Sequence, residues 1–254
     1  MSYDTVSKAA IKRIHHLGDA KCRRAEGLFK AEGAKLVLDT IEAFEVDGIY
    51  ATANWLESRG DITAKYKVWE CTHADLERMS SLSTAPEVIA VYRIPLREFD
   101  PSTPARELIL ALDTIQDPGN LGTIIRVADW FGIHTIVCSR ETVDLYNPKT
   151  VQATMGAMSR VNVHYLDLPA YLSSLHGTEV YGTFLDGENI YNAPLGTTGV
   201  IVIGNEGRGI SEAVASHVTK RLTIPSYPAG SPTSESLNAA IAAAITISTF
   251  RQHG

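Results

Sequence analysis

Three short stretches of the chain gather the side chains best suited to chemistry. In QDPGNLGTIIRVADWF, residues 116–131, an arginine interrupts an apolar run. Read as a helix from Asn120, this stretch puts Ile124, Ile125, Val127, Ala128, Trp130 and Phe131 on a broad apolar surface. Gly122, Thr123, Arg126 and Asp129 fall on the remaining strip. The plain reading of Arg126 is a solvent-facing partner for Asp129 one turn on. Gly122, lacking a side chain, would let a ligand or another chain approach the backbone on that same strip. Asn120 could cap the helix through its side-chain oxygen.

The second stretch is GVIVIGNEGRGIS, residues 199–211, where Gly204, Gly207 and Gly209 surround the single carboxylate Glu206. Glycines there permit positive φ and bare backbone N–H and C=O groups that can hold the polar edge of a flat ligand. Their order is not the GxGxxG of dinucleotide folds, which argues against a nicotinamide-dependent dehydrogenase. The third stretch is IPSYPAGSPTSESLNAAIAAAITISTF, residues 224–250. Ser236 and Asn238 stand at the start of an Ala-rich helix with Leu237, Ile241 and Ile245 spaced by four. Helical N–H groups and the positive end of the helix dipole favour a polar or anionic ligand at such a place, unless the two residues are ordinary caps.

These stretches need strands and helices to hold them. LILAL (108–112), HTIVCS (134–139), VYGTFL (180–185), GVIVIG (199–204) and RLTIP (221–225) read as strands, the first being apolar enough for burial on both faces. Helices alternate with them, SEAVASHV starting at an N-cap Ser211, and a loop at Asp186-Gly187 separates VYGTFL from GVIVIG. That alternation predicts an α/β parallel sheet covered on both sides. The loops in question leave the carboxyl ends of strands, where such sheets bind ligands. Before Leu96, AEGAKLVLDTIEAF reads as a helix and DGIYAT, YKVWECT and EVIAVYRIP as strands, which predicts a separate small α/β domain. The Pro-containing LREFDPSTPAR is the natural linker. The expected boundaries are 1–97 for the first domain, 98–106 for the linker and 107–254 for the second.

Bulk properties bound the rest. The 254 residues are 44% hydrophobic and 20% charged, an ordinary globular composition. No apolar run approaches a membrane span, and the N-terminus lacks the apolar core of a signal peptide. Three isolated cysteines fit the cytoplasm and speak against structural zinc, and the adjacent His15-His16 pair is no metal site. The net charge of −6 discourages a nucleic-acid partner. Yet Lys8, Lys12, Arg13, Lys21, Arg23, Arg24, Lys30 and Lys35 crowd residues 8–35 against only three acids, a local basic footprint or a solvated helix face.

Taken together in this order, the three stretches resemble the three motifs of the SpoU (TrmH) family of RNA 2′-O-ribose methyltransferases, within the SPOUT superfamily. The matching residues are Asn120-x-Gly122-x-x-x-Arg126, Gly204-x-Glu206-Gly207-x-Gly209, and Ile224-Pro225 with Ser236-Leu237-Asn238. The likeness spans residues 108–251. IKRIHHLGDAKCRRAEGLFKAEGAKLV also resembles the basic helix and F-x-x-EG entry of that family's L30e-like substrate-binding domain. The resemblance implies a C-terminal trefoil knot, a homodimer with the Arg126 helix near the subunit contact, and an RNA partner, with ribosomal RNA ahead of transfer RNA. Trp130 and Phe131 would serve either that contact or the core.

It further implies S-adenosylmethionine as methyl donor, held around Thr183, Gly204, Gly207, Ile224 and Leu237. Arg126 would act on the ribose hydroxyl, as a base or as a clamp on the adjacent phosphate. Asn120 and Ser236 would orient it and the RNA, while Glu206 and Asn238 would anchor the loops. Neither metal nor membrane is expected to take part. An idle RNA-binding or ribosome-assembly factor with the same fold is the alternative. The loop from Ser226 to Glu235 looks longer than the common family form, and Glu235 is unexpected beside an RNA site.

Overall fold

The computed structural model describes residues 3–228 and 234–252. The long loop expected at 226–235 therefore lies partly outside the described residues. The chain forms two compact units, Met1–Leu96 with Asp144–Ser159, and Arg97–Val143 with Arg160–Gly254. The expected second domain, drawn as one block from residue 107, thus lends the segment Asp144–Ser159 to the first unit.

The first unit comprises β1 (Asp4–Thr5), α1 (Lys8–His16), α2 (Ala20–Glu26), β2 (Leu28–Glu32), α3 (Ala34–Thr40), β3 (Val46–Ala51), α4 (Ala53–Glu57), α5 (Gly60–Lys65), β4 (Val68–Glu70), α6 (His73–Met79) and β5 (Val88–Arg93). The five strands make one sheet in the order β1-β4-β3-β5-β2. Ile11 and Ile14 from α1 and Leu76 and Met79 from α6 pack with Leu28, Tyr50, Ile89 and Val91 of the sheet.

The stretch read as one helix from Ala31 is instead β2 followed by α3, joined at Gly33 with φ +99°. Charge hid the strand. Lys30 and Glu32 are buried, paired Nζ to Oε1 at 3.0 Å, and Lys30 also donates to the Met79 carbonyl. Such a pair satisfies itself inside a core and reads from sequence as surface. The basic footprint shrinks for the same reason. Arg23 is 2% exposed, donating to Asp144 and to the Leu17 and Gly18 carbonyls, and Arg13 pairs with Glu26. Lys8, Lys12, Lys21, Arg24 and Lys35 remain exposed.

The second unit holds β6 (Leu108–Leu112), α7 (Pro118–Trp130) and β7 (Thr135–Ser139). The helix α8 (Pro148–Thr154) then falls in the segment that belongs to the first unit. The second unit resumes with β8 (Asn162–Leu166), α9 (Leu168–Ser173), β9 (Val180–Asn189), β10 (Gly199–Ile203), α10 (Glu212–Ala215), β11 (Lys220–Thr223) and α11 (Ala239–Gln252). Its six strands are all parallel, in the order β11-β9-β10-β6-β7-β8. Every residue of β6, β7 and β10 is buried, as expected for strands covered on both faces.

Two local expectations change here, and α11 shows which of its sides is packed. Asp186-Gly187 is no loop: β9 runs on to Asn189 and pairs with β11 across a register shift. The glycine is required there, because a Cβ would lie 2.7 Å from the Leu222 carbonyl carbon. The packed side of α11 is not the one that carries Leu237, Ile241 and Ile245. Ala239, Ala240, Ala243, Thr246, Ile247 and Phe250 are buried instead, against α7 and β10 among others, and Ile241 is half exposed. Gly122 is buried rather than open beside Arg126. Among the described residues no helix is long and apolar enough to cross a membrane.

Candidate active site

From β6, the chain adds β7 and β8 on one side of the sheet and β10, β9 and β11 on the other. The loops after β6 and β10 therefore leave the carboxyl edge side by side, at the point where the order reverses and parallel sheets open a crevice. Buried Asp113, just past β6, accepts the Ser211 backbone N–H on Oδ2 at 2.7 Å and the Thr114 hydroxyl on Oδ1. Thr114 takes φ +59°, uncommon for a β-branched residue. Its carbonyl accepts from Asn205 Nδ2 at 2.9 Å, and its N–H donates to Ser139 Oγ at 2.9 Å. Four polar groups hold the bend in place.

The second loop folds back on itself. Asn205 and Gly209 exchange backbone hydrogen bonds of 3.0 and 2.8 Å, and Asn205 Oδ1 accepts the N–H groups of Gly207 and Arg208. A Cβ on Gly204 would sit 2.3 Å from the Gly209 carbonyl carbon. The need for glycine at 204 thus comes from the returning loop itself. Of the three glycines only Gly209 has positive φ, +69°.

Glu206 leaves the tip of this loop and ties all three stretches. Its Oε1 accepts from Asn120 Nδ2 at 2.7 Å, from Asn238 Nδ2, and from the Ala239 N–H at 3.0 Å. Asn238 Nδ2 also donates to Asn120 Oδ1 at 2.9 Å, and Ser236 Oγ donates to the Glu206 carbonyl at 3.2 Å. Asn120 is free for this because it is not the cap of α7. The helix starts at Pro118, and the N-cap is Asp117, which accepts from the Asn120 N–H at 2.8 Å. Asn238 serves twice. Its Oδ1 caps α11 by accepting from Ala240 and Ile241, leaving Nδ2 for the network. Capping and a place in the site are therefore compatible at this residue.

Beside the network lies a cavity of about 510 Å³. Thr183, Gly204, Gly207, Ile224 and Leu237 all line it, with Glu206 and Ser236. Ile203, Ile210 and Ala242 add apolar wall. Volume and lining are those of a pocket for a small organic ligand.

Arg126 stands apart from this convergence. It is exposed on α7, and no hydrogen bond or ion pair with another described residue engages its side chain. Asp129 is not its partner, because Arg160 holds that carboxylate with three hydrogen bonds of 2.7 to 3.0 Å. Sequence reasoning missed Asp113, Thr114, Asn205 and Asp117, all of which set the loops. An aspartate ending a buried strand and another preceding Pro-Gly were the available signals. Phe184, Leu185, Asp186 and Arg208 also line the cavity.

Residues 107–248 match the model of the SpoU rRNA Methylase family, and residues 8–90 that of the MRM3-like substrate binding domain. The chain is 28% identical over 247 residues to the 23S rRNA (guanosine(2553)-2′-O)-methyltransferase RlmP of Bacillus subtilis, covering 96% of each chain. Its fold matches a TrmH-family protein from Porphyromonas gingivalis with a TM-score of 0.88 and 38% identity, covering 98% of this chain and all of that one. The AdoMet-bound rRNA methyltransferase from Sinorhizobium meliloti matches with a TM-score of 0.84 and 26% identity, over 98% and 97% of the two chains. With its three signature stretches joined through one carboxylate at the switch point of a parallel sheet, this chain belongs to the SpoU rRNA methylase family.

Proposed function

We propose that this protein methylates the ribose 2′-hydroxyl of structured RNA, ribosomal RNA ahead of transfer RNA, with S-adenosylmethionine as donor. The observation that carries this reading is the meeting of Asn120, Glu206, Ser236 and Asn238 beside a cavity lined by all five residues expected to hold the donor. The cavity fits the donor's chemistry. Ile203, Ile210 and Ile224 offer an apolar wall for an adenine, and the Gly204–Gly209 turn offers bare backbone at its edge. When bound, S-adenosylmethionine supplies a methyl group already activated on a sulfonium.

The residues must then align a ribose hydroxyl and keep the cleft in shape. A guanidinium is a poor base at ordinary pH but a good forked donor to phosphate. Exposed Arg126 therefore acts as a clamp that orients the hydroxyl through the neighbouring phosphate. Asn120 and Ser236 fix the RNA-facing rim, and Glu206 and Asn238 hold the loops together. In the N-terminal domain, residues 1–97, exposed Lys8, Lys12, Lys21, Arg24 and Lys35 supply cations for the RNA backbone.

A homodimer accounts for two exposed apolar side chains on packed helices, Trp130 of α7 (85% exposed) and Ile241 of α11. The burial of α11 against α7 and β10 is in keeping with the threaded segment of a trefoil knot. Cytoplasmic residence follows from the substrate and agrees with three free cysteines. The preference for ribosomal RNA rests on the whole-length likeness to RlmP and on the N-terminal substrate-binding match. Mapping 2′-O-methyl marks on total RNA from cells with and without the gene tests it. One ribosomal position losing its mark is the expected result, and an unchanged map refutes the reading.

A further inference from the structure

Four ionisable side chains line the cavity: Asp186, Glu206, Arg208 and Glu235. Two are already engaged. Asp186 Oδ1 accepts from Arg221 Nη2 at 2.6 Å, and that guanidinium also lies 3.5 Å from the centre of the Phe184 ring. Glu206 Oε1 takes its three donors from Asn120, Asn238 and Ala239. The other two, Arg208 and Glu235, are exposed, and no side-chain hydrogen bond or ion pair with a described residue engages either. One positive and one negative side chain are thus left over at the wall of a ligand-sized cavity.

We infer that Arg208 and Glu235 grip the amino-acid end of the methyl donor, Arg208 taking its α-carboxylate and Glu235 its α-ammonium. The inference rests on the donor-site reading above and goes beyond it, because neither side chain belongs to the motif residues that carry that reading. An amino-acid zwitterion presents one charge of each sign on two groups attached to the same carbon, which is what the unengaged pair can complement. An α-carboxylate suits the forked guanidinium through two parallel hydrogen bonds. The geometry also gives Glu235 a purpose that an RNA-facing carboxylate would lack, since it would repel phosphate. Ligand entry strengthens both contacts by removing water from the wall.

The test is calorimetric binding of three probes to the full-length protein and to Arg208→Ala and Glu235→Gln. S-adenosylmethionine and S-adenosylhomocysteine both carry the zwitterion, whereas 5′-methylthioadenosine lacks it. Each substitution is expected to weaken the first two on the order of tenfold and leave the third unchanged. Equal weakening of all three would mean a damaged cavity and overturn the inference, as would unchanged affinity for the first two. Loss of RNA affinity alone in Arg208→Ala would assign that residue to phosphate and overturn its part. If the wild-type protein binds none of the probes, the donor-site reading itself fails, a result distinct from the others.

Discussion

Asn120 Nδ2 lies 2.7 Å from Glu206 Oε1, although 86 residues separate them. The contact joins the first turn of α7 to the loop after β10. The same oxygen accepts from Asn238 and from the first N–H of α11. One carboxylate atom therefore fixes the relative positions of three loops that the chain reaches far apart.

Substitution of Asn238 separates its two duties. Asn238→Ala removes the α11 cap, at a cost of about 1 kcal/mol, and the donor to Glu206. Asn238→Asp keeps an acceptor for Ala240 and Ile241, with a charge that suits a helix N-terminus, but sets a carboxylate against Glu206. The aspartate variant should show a urea midpoint nearer the wild type than the alanine variant, yet bind S-adenosylmethionine more weakly than the wild type. Wild-type donor affinity in Asn238→Asp would detach the network from the site.

Two ion pairs of different burial should respond unequally. Asp144→Ala leaves the guanidinium of Arg23, 2% exposed, without its carboxylate. Breaking a fully buried pair costs about 3–5 kcal/mol, and the loss here should approach the lower end, because Asp144 is 25% exposed. Asp129→Ala removes the partner of Arg160, whose side chain is 54% exposed, and such a pair contributes about 0–1 kcal/mol. Equilibrium urea unfolding of both variants compares the two, and equal losses would contradict the burial argument.

His164 on β8 gives stability a dependence on acid. Burial against Phe99, with a smaller contribution from the nearby Arg97 charge, holds its pKa below the ordinary 6.5. Below 6.5 the unfolded chain takes up a proton that the folded protein resists. Stability should therefore fall as pH drops from 6.5 toward the lowered folded value, by at most about 1.4 kcal/mol per pH unit for one group. Unfolding free energies between pH 7 and 5 should show this slope, and His164→Phe should flatten it. An unchanged slope in the variant would remove His164 as its source.

Trp130 should report on association. If its exposed indole meets a second copy, Trp130→Glu places a charge in that contact and shifts the protein to monomers. Sedimentation velocity should show a dimer for the wild type and a lighter species for the variant. A wild-type monomer would contradict the dimer outright.

Much of the second unit was legible because its signals are local. LILAL, HTIVCS and GVIVIG are apolar runs bounded by turns, and buried parallel strands look like that. Gly204, Gly207, Ile224 and Leu237 of the cavity lining were reachable because the three motifs carry them in order, whereas Phe184, Leu185 and Asp186 come from β9, outside those motifs. What escaped depended on partners distant in sequence. Lys30 and Glu32 disguise β2, since their burial is tolerable only once they pair with each other. Arg23 belongs to the core only because Asp144 comes to it from the far segment. Asn120 looked like a cap because sequence alone does not decide between it and Asp117, and the helix took the residue before Pro118, whose fixed φ suits the first helical position. On α11 the i, i+4 spacing of its isoleucines does not by itself locate the packed side, because Ala239, Ala240 and Ala243 are buried together with Ile247 and Phe250 while Ile241 is half exposed.

The most direct test of the central claim sets methyl transfer against donor binding in one variant. Arg126 is exposed, and no side-chain hydrogen bond or ion pair ties it to another described residue, so Arg126→Ala should unfold within about 0.5 kcal/mol of the wild type. With labelled S-adenosylmethionine and ribosomal RNA, the wild type should place label on a ribose 2′-oxygen. Arg126→Ala should bind the donor with wild-type affinity and transfer on the order of a hundredfold more slowly or not at all. Wild-type turnover in that variant, or label found on a base, would contradict the account.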